Sequence, residues 1–185
     1  MILSANGNGT GNVISADEDL AGNITQRPPG QASYTVAANG AFNFGAGNPA
    51  GFLVGQNRGF FVGTGSNSIF GTMEPQSGAP FSNASIAGTY AAGSLAPLDY
   101  VNASNEMDLG PADGLGTLTL NGDSSGAGGL DQWFGGVVNY SIASNGRGTA
   151  EAQGDRAPGV VYVISPTKWL VLQPKTDARV LVFGH

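Results

Sequence analysis

Few residues of this chain have the types and spacing that chemistry requires. Glu106 and Asp108 stand two apart, so on a strand they share one face, as a glycosidase-type carboxylate pair would; a solvated pair is the simpler reading. Asp17, Glu18 and Asp19 offer the hard oxygen ligands that calcium takes, with Asn12 or Asn23 as further donors. Consecutive strand side chains point to opposite faces, however, which favours a solvated acidic turn. Asp131-Gln132-Trp133-Phe134 joins an aromatic pair to a carboxylate and an amide, a composition that can stack on a sugar ring or an apolar ligand. The alternative is that Trp133 or Phe134 plugs one end of a barrel. The single histidine is His185, read as a mobile terminal residue, and cysteine is absent. A Ser-His-Asp or Cys-His nucleophile therefore lacks its base, and zinc or copper lacks its ligands. Glycine-rich runs precede neither a helix nor a Lys-Ser/Thr pair, so they are connections and not phosphate cradles. No catalytic residue and no cofactor is assigned. Lys168, in a Ser-Pro-Thr-Lys turn, is an exposed lysine more readily than a partner in an intramolecular amide, and the Asn-X-Ser/Thr matches at Asn8, Asn23, Asn83, Asn102 and Asn139 are expected by chance in so polar a chain.

The elements that must carry these residues are written twice. Tyr34-Thr35-Val36-Ala37-Ala38-Asn39-Gly40 returns as Tyr140-Ser141-Ile142-Ala143-Ser144-Asn145-Gly146, an offset of 106. Gly9 to Ile14 matches Gly114 to Thr119 at 105, and Phe52-Leu53-Val54 through Phe60-Phe61-Val62 matches Tyr162-Val163-Ile164 through Leu170-Val171-Leu172 at 110. The offset changes only between strands, where loops absorb it. Asn-Gly dipeptides at 39–40, 121–122 and 145–146 mark tight hairpin turns, and alternation around Tyr34, Leu118 and Tyr140 marks strands with one apolar face. Val160 to Ile164, Trp169 to Leu172 and Val180 to Phe183 are continuously apolar, the pattern of strands covered on both faces. Gly45 to Gly51 and Gly122 to Gly129 read as long loops. The expectation is an all-β chain, an antiparallel barrel with a two-sheet sandwich as the alternative. It is a single domain over 1–185, with repeats at about 1–76 and 86–185 and a connection at 77–85. Each repeat reads as two hairpins plus flanking strands, about six or seven short strands in all.

Composition bounds the function. Only 11% of residues are charged, against a usual quarter, so Ser, Thr, Asn, Gln and Gly must cover the surface, as in extracellular or cell-surface β-proteins. Net charge is −6, with no basic patch for phosphates, which excludes a nucleic-acid partner. No stretch approaches the roughly 20 apolar residues of a membrane span. The N-terminus lacks the pattern of a signal peptide, so a secretory signal would have to lie upstream.

The Gly-Asn-Gly turn before Asn12-Val13-Ile14 and Asp17-Glu18-Asp19, then Tyr34-Thr35-Val36 with Asn39-Gly40, then Phe70-Gly71-Thr72-Met73-Glu74-Pro75-Gln76, resemble the β-repeats of large secreted proteins of soil bacteria. Gly146-Arg147-Gly148-Thr149 and Val163 to Lys168 fit the same pattern, although the second copy lacks the Asp-Glu-Asp cluster and the closing Gly-Thr-Met-Glu segment. The resemblance implies a β-fold and no established activity. The leading expectation is a non-catalytic structural or adhesive module, followed by a barrel that binds a small apolar or carbohydrate ligand, then by a carboxylate-dependent hydrolase. Ile86-Ala87-Gly88-Thr89-Tyr90-Ala91-Ala92 reads as an opening strand of the second copy whose counterpart would precede residue 1. Either the first copy takes a strand from a neighbouring repeat or subunit, or one strand serves both copies.

Overall fold

The computed structural model describes residues 1–20, 22–45, 50–63, 70–95, 105–126, 128–155, 157–174 and 180–185. The Asn102 acceptor and most of the Gly45 to Gly51 loop lie outside them. The chain is all-β, and one turn of 3-10 helix at Asn83–Ser85 is the helical structure among the described residues. The chain divides into two compact units, Met1–Ala16 with Gln26–Pro75, and Asp17–Thr25 with Gln76–His185.

The second unit contains a closed antiparallel barrel of eight strands: β10 (Ala87–Ser94), β11 (Asn105–Asp113), β12 (Thr117–Gly126), β13 (Gly129–Ile142), β14 (Arg147–Ala152), β15 (Gly159–Ser165), β16 (Lys168–Leu172) and β17 (Val180–Gly184). Neighbours in sequence are neighbours in the sheet, and β10 pairs with β17 to close it, so the sandwich alternative does not apply here. An eight-stranded barrel is just wide enough for side chains to fill it. Tyr90, Leu118, Tyr140, Val161, Val163, Trp169 and Phe183 belong to its buried cluster. Trp169 stacks on Phe183 at 3.7 Å between ring centroids and meets Tyr90 edge-on at 5.6 Å. His185 also packs edge-on against Tyr90, at 5.4 Å. The connection that begins at Gln76 is tied to one end of the barrel: Gln76 Nε2 donates to the Val163 carbonyl (2.7 Å), Phe81 N to Ser144 O (3.0 Å), and the Tyr140 hydroxyl to Ile86 O (2.8 Å). The Asp113 carboxylate accepts N–H bonds from Leu115, Gly116 and Thr117 at 2.7 to 2.9 Å, which fixes the β11–β12 turn. Those bonds, led by that from Thr117, hold its carboxyl below the usual range.

The first unit has β1 (Ile2–Ala5) paired with β2 (Thr10–Leu20), which also pairs with β3 (Asn23–Arg27) and β4 (Gly30–Ser33). A five-stranded meander follows: β5 (Thr35–Val36), β6 (Ala41–Asn43), β7 (Ala50–Gly55), β8 (Arg58–Val62) and β9 (Phe70–Met73). The outer part of the β2–β3 hairpin, Asp17–Thr25, belongs to the second unit.

Strand registers in the two units correspond. Adding 107 turns Ala5↔Gly11 into Ala112↔Leu118, and adding 106 turns Thr35↔Asn43 into Ser141↔Thr149. Adding 110 turns Ala50↔Val62 into Val160↔Leu172 and Gly59↔Met73 into Trp169↔Phe183. Across the change of offset, Thr10↔Ser33 becomes Thr117↔Asn139 and Ala41↔Phe52 becomes Arg147↔Tyr162. Even the irregularity between Leu53 and Gly55 recurs between Val163 and Ser165. The first strands thus align at 107, not the 105 read from residue types. The turns match as well: Gly40 N donates to Ala37 O at 2.9 Å and Gly146 N to Ala143 O at 2.8 Å, with φ of 82° and 84° at the two glycines. β10 serves the second unit alone, since both its partners, β11 and β17, lie there. Among the described residues the first unit has no strand equivalent to it.

Candidate functional site

Asp131, Gln132, Trp133 and Phe134 lie within β13, because Gly122 to Gly126 belongs to β12 and Gly129, which opens β13, pairs with Gly126, in place of the long loop expected. Pairing to β12 overrides the weak strand preference of glycine and serine. Alternation then separates the four residues. Trp133 turns toward Gly122, its cross-strand partner, whose other partner is Asp108. A Cβ at Gly122 would collide with both the Trp133 ring and Asp108 Oδ1, so the glycine makes the space these two groups fill. Phe134 is on the opposite face in solvent, and Gln132 donates to Asp123 Oδ1 at 2.8 Å. They do not converge on one ligand.

Glu106 and Asp108 share the inner face of β11, as the spacing requires. They are buried, not solvated, because β11 alternates between barrel interior and solvent over its whole length. The Glu106 amide donates to Ser94 Oγ at 3.0 Å. Both side chains therefore lie inside the barrel and not on its outer surface.

The acidic run is the reverse case. Asp17 is held on the outer wall of the barrel: Arg147 Nε donates to Asp17 Oδ2 at 2.8 Å and Nη2 to Oδ1 at 2.7 Å, and the Tyr162 hydroxyl donates to Oδ2. Arg147 and Tyr162 are cross-strand partners on β14 and β15, so one face presents both donors. The Asp17 side chain has 0% accessible surface. Burial pushes its carboxyl upward, but the bonds from Arg147 and Tyr162, with the Arg147 charge, outweigh this and hold it below the usual carboxylate range. Asp19 Oδ1 accepts the Gly22 amide at 2.8 Å. Among the described residues no three acidic or histidine side chains are grouped as metal ligands. The bidentate pair spans 130 positions, and no local pattern announces it; the available signal was a rare arginine directly after an Asn-Gly turn.

A further feature is apolar. On β6 to β9, Ala41, Phe52, Phe60, Val62 and Phe70 share one face through direct cross-strand pairing, and the Phe60 and Phe70 rings stack at 6.4 Å. Several of these residues, with Val36, Phe42 and Phe61, line an open groove of about 750 Å³. On the other face Gly71 receives the Phe61 ring and Gly51 the end of Phe42.

No protein-family model, curated protein or solved structure matches the chain. Its function must be argued from these surfaces.

Proposed function

We propose that the protein is a non-catalytic structural or adhesive module of a secreted or cell-surface protein. Its two units are copies of one strand pattern, and the first is completed by a strand from a neighbouring repeat or subunit. One observation carries this reading. β10 joins β11 to β17, while their register equivalents β1 and β9 each have one neighbour among the described residues. Edge strands left this way are templates for strand addition unless blunted by lysine, proline or charge. Ile2–Ala5 and Phe70–Met73 contain none of these. The low charge and polar uncharged surface support an extracellular setting.

The test uses the chain's own closing strand. A peptide spanning Ile86 to Ser94, added to the intact protein, should bind saturably at one site and protect the amides of β1 and β9 from hydrogen exchange, whereas a scrambled peptide should not. Absence of binding at about 1 mM peptide, near the weak limit of specific association, overturns strand completion.

The apolar groove favours a second reading, a site for a small apolar or carbohydrate ligand. Its volume suits a drug-sized molecule. Binding of a hydrophobic dye that is lost in Phe61→Ala, with the fold intact, would support it; no response across apolar and sugar panels would exclude it.

A further inference from the structure

The strand missing from the first unit leaves its mark on the side chains that would face it. Interior rows of the two units compare residue by residue, at an offset of 110 on β7 to β9 and 106 on β6. In the barrel Gly148 and Val161 are cross-strand partners; in the first unit the same pair is Phe42 and Gly51. Val171 and Leu181 likewise become Phe61 and Gly71. Each exchange moves bulk from one strand to its neighbour, since the end of the Phe42 ring lies over Gly51 and the Phe61 ring over Gly71. Such swaps conserve the volume of a packed interior.

One row is not balanced in this way. Val163, Trp169 and Phe183, paired in that order across β15, β16 and β17, become Leu53, Gly59 and Met73 on β7, β8 and β9. Two stacked aromatic rings are gone, and the exchange of Val163 for Leu53 returns a single methylene. A Cβ at Gly59 would first meet the backbone of Phe52 and Leu53, not a side chain. Val163 and Phe183 are 0% and 2% exposed, whereas Leu53 and Met73 are only half-buried.

In the barrel this row continues onto the closing strand. Beside Phe183 stands Ala92 of β10, buried and small, where the Trp169 and Phe183 rings supply the bulk. Its counterpart, the position beside Met73, belongs to the strand that the first unit lacks among the described residues. No residue of β7 to β9 replaces the lost rings, so bulk at that position is what restores the volume of the row.

We propose that the strand completing the first unit carries a large aromatic side chain at its inward position beside Met73, reaching over Gly59. This rests on the strand-completion reading and names the chemistry of its partner. β10 of a second copy offers only Ala92 there, so the donor is a strand of a different repeat, aromatic at this position.

The experiment is calorimetric titration of the intact protein with three peptides: Ile86 to Ser94 unsubstituted, the same with Ala92→Trp, and the same with Ala91→Trp, whose side chain points outward. The Ala92→Trp peptide should bind at least about tenfold more tightly than the unsubstituted one, through burial of the added ring, and Ala91→Trp should bring no comparable gain. In Leu53→Trp protein with wild-type circular dichroism, an indole takes the same space from β7; the gain should vanish there while the unsubstituted peptide still binds. Equal affinities of the Ala92→Trp and unsubstituted peptides, an equal gain from Ala91→Trp, or a gain that persists in Leu53→Trp overturns the aromatic donor and leaves strand completion standing. Failure of all three peptides to bind overturns strand completion itself, and the aromatic donor with it.

Discussion

Asp17 shows how one residue can belong to chemistry its neighbours do not reveal. A carboxylate with no accessible surface is tolerated because two guanidinium donors and a phenol meet its oxygens. Arg147→Ala removes the counter-charge and leaves the acid enclosed, so it should destabilise the second unit by about 3 kcal/mol in denaturant unfolding, at the low end for a broken buried pair because Arg147 is partly exposed. The pH dependence has a definite sign. With its folded pKa below the unfolded value of about 3.9, Asp17 contributes stability that is present above that value and lost as pH falls through the folded one. The stability difference between wild type and Asp17→Asn should therefore be full near neutrality and narrow below about pH 4; a pH-independent difference would assign it to packing. Gly122 supplies the second test at this scale. Gly122→Val drives a branched side chain into Trp133 and Asp108, and it should lower the melting temperature and shift Trp133 emission while leaving Trp169, on β16, packed on Phe183.

The Asn-Gly turns at 39–40 and 145–146 were legible because the dipeptide states its conformation locally, but Asn121-Gly122, expected as a third, lies inside β12, where pairing to β11 and β13 overrides that preference. Gly40 and Gly146 both have positive φ, and replacing either with Val should cost about 1 to 3 kcal/mol. Surroundings then rank the two. A Cβ at Gly146 lies 2.6 Å from Gln76 Nε2 and 2.9 Å from Phe81 Cδ2, whereas at Gly40 its nearest neighbour is Leu53 O at 3.1 Å. Thermal melts should show Gly146→Val as the more damaging. Period and apolar runs also placed the barrel strands: Val160 to Val163 are buried on both faces, as continuous hydrophobicity implies, whereas Trp169 to Leu172 and Val180 to Phe183 are buried on one face and half-buried on the other. Gly122 to Gly129 was illegible because its pairing is decided by the register of β12 on β13 and not by propensity. The candidate sites were legible only where one strand carries them. Glu106 and Asp108 share a face as their spacing requires, but their burial depended on seven other strands closing around it. Asp17 with Arg147, and the apolar wall, are products of tertiary pairing that no single window contains.

At the scale of the molecule, the two units differ in closure more than in pattern. Every barrel strand of the second unit has two hydrogen-bonded neighbours, and its interior buries a large aromatic and aliphatic cluster. Among the described residues of the first unit, β1 and β9 each have one neighbour, and the buried apolar side chains are Ile2 and Phe42. Buried apolar area is the main favourable term of folding, so the closed unit should hold most of the stability. The chain contains its own reporters: both tryptophans, Trp133 and Trp169, lie in the second unit, while far-ultraviolet circular dichroism sees strands in both. In urea the dichroism signal should therefore begin to fall at a lower concentration than tryptophan emission, and the two transitions should not coincide. Adding the Ile86–Ser94 peptide should move the early dichroism phase toward the later one by mass action, leaving the tryptophan midpoint fixed. Coincident transitions, with or without peptide, would show that the two units unfold as one cooperative body and that the missing strand does not limit the stability of the first.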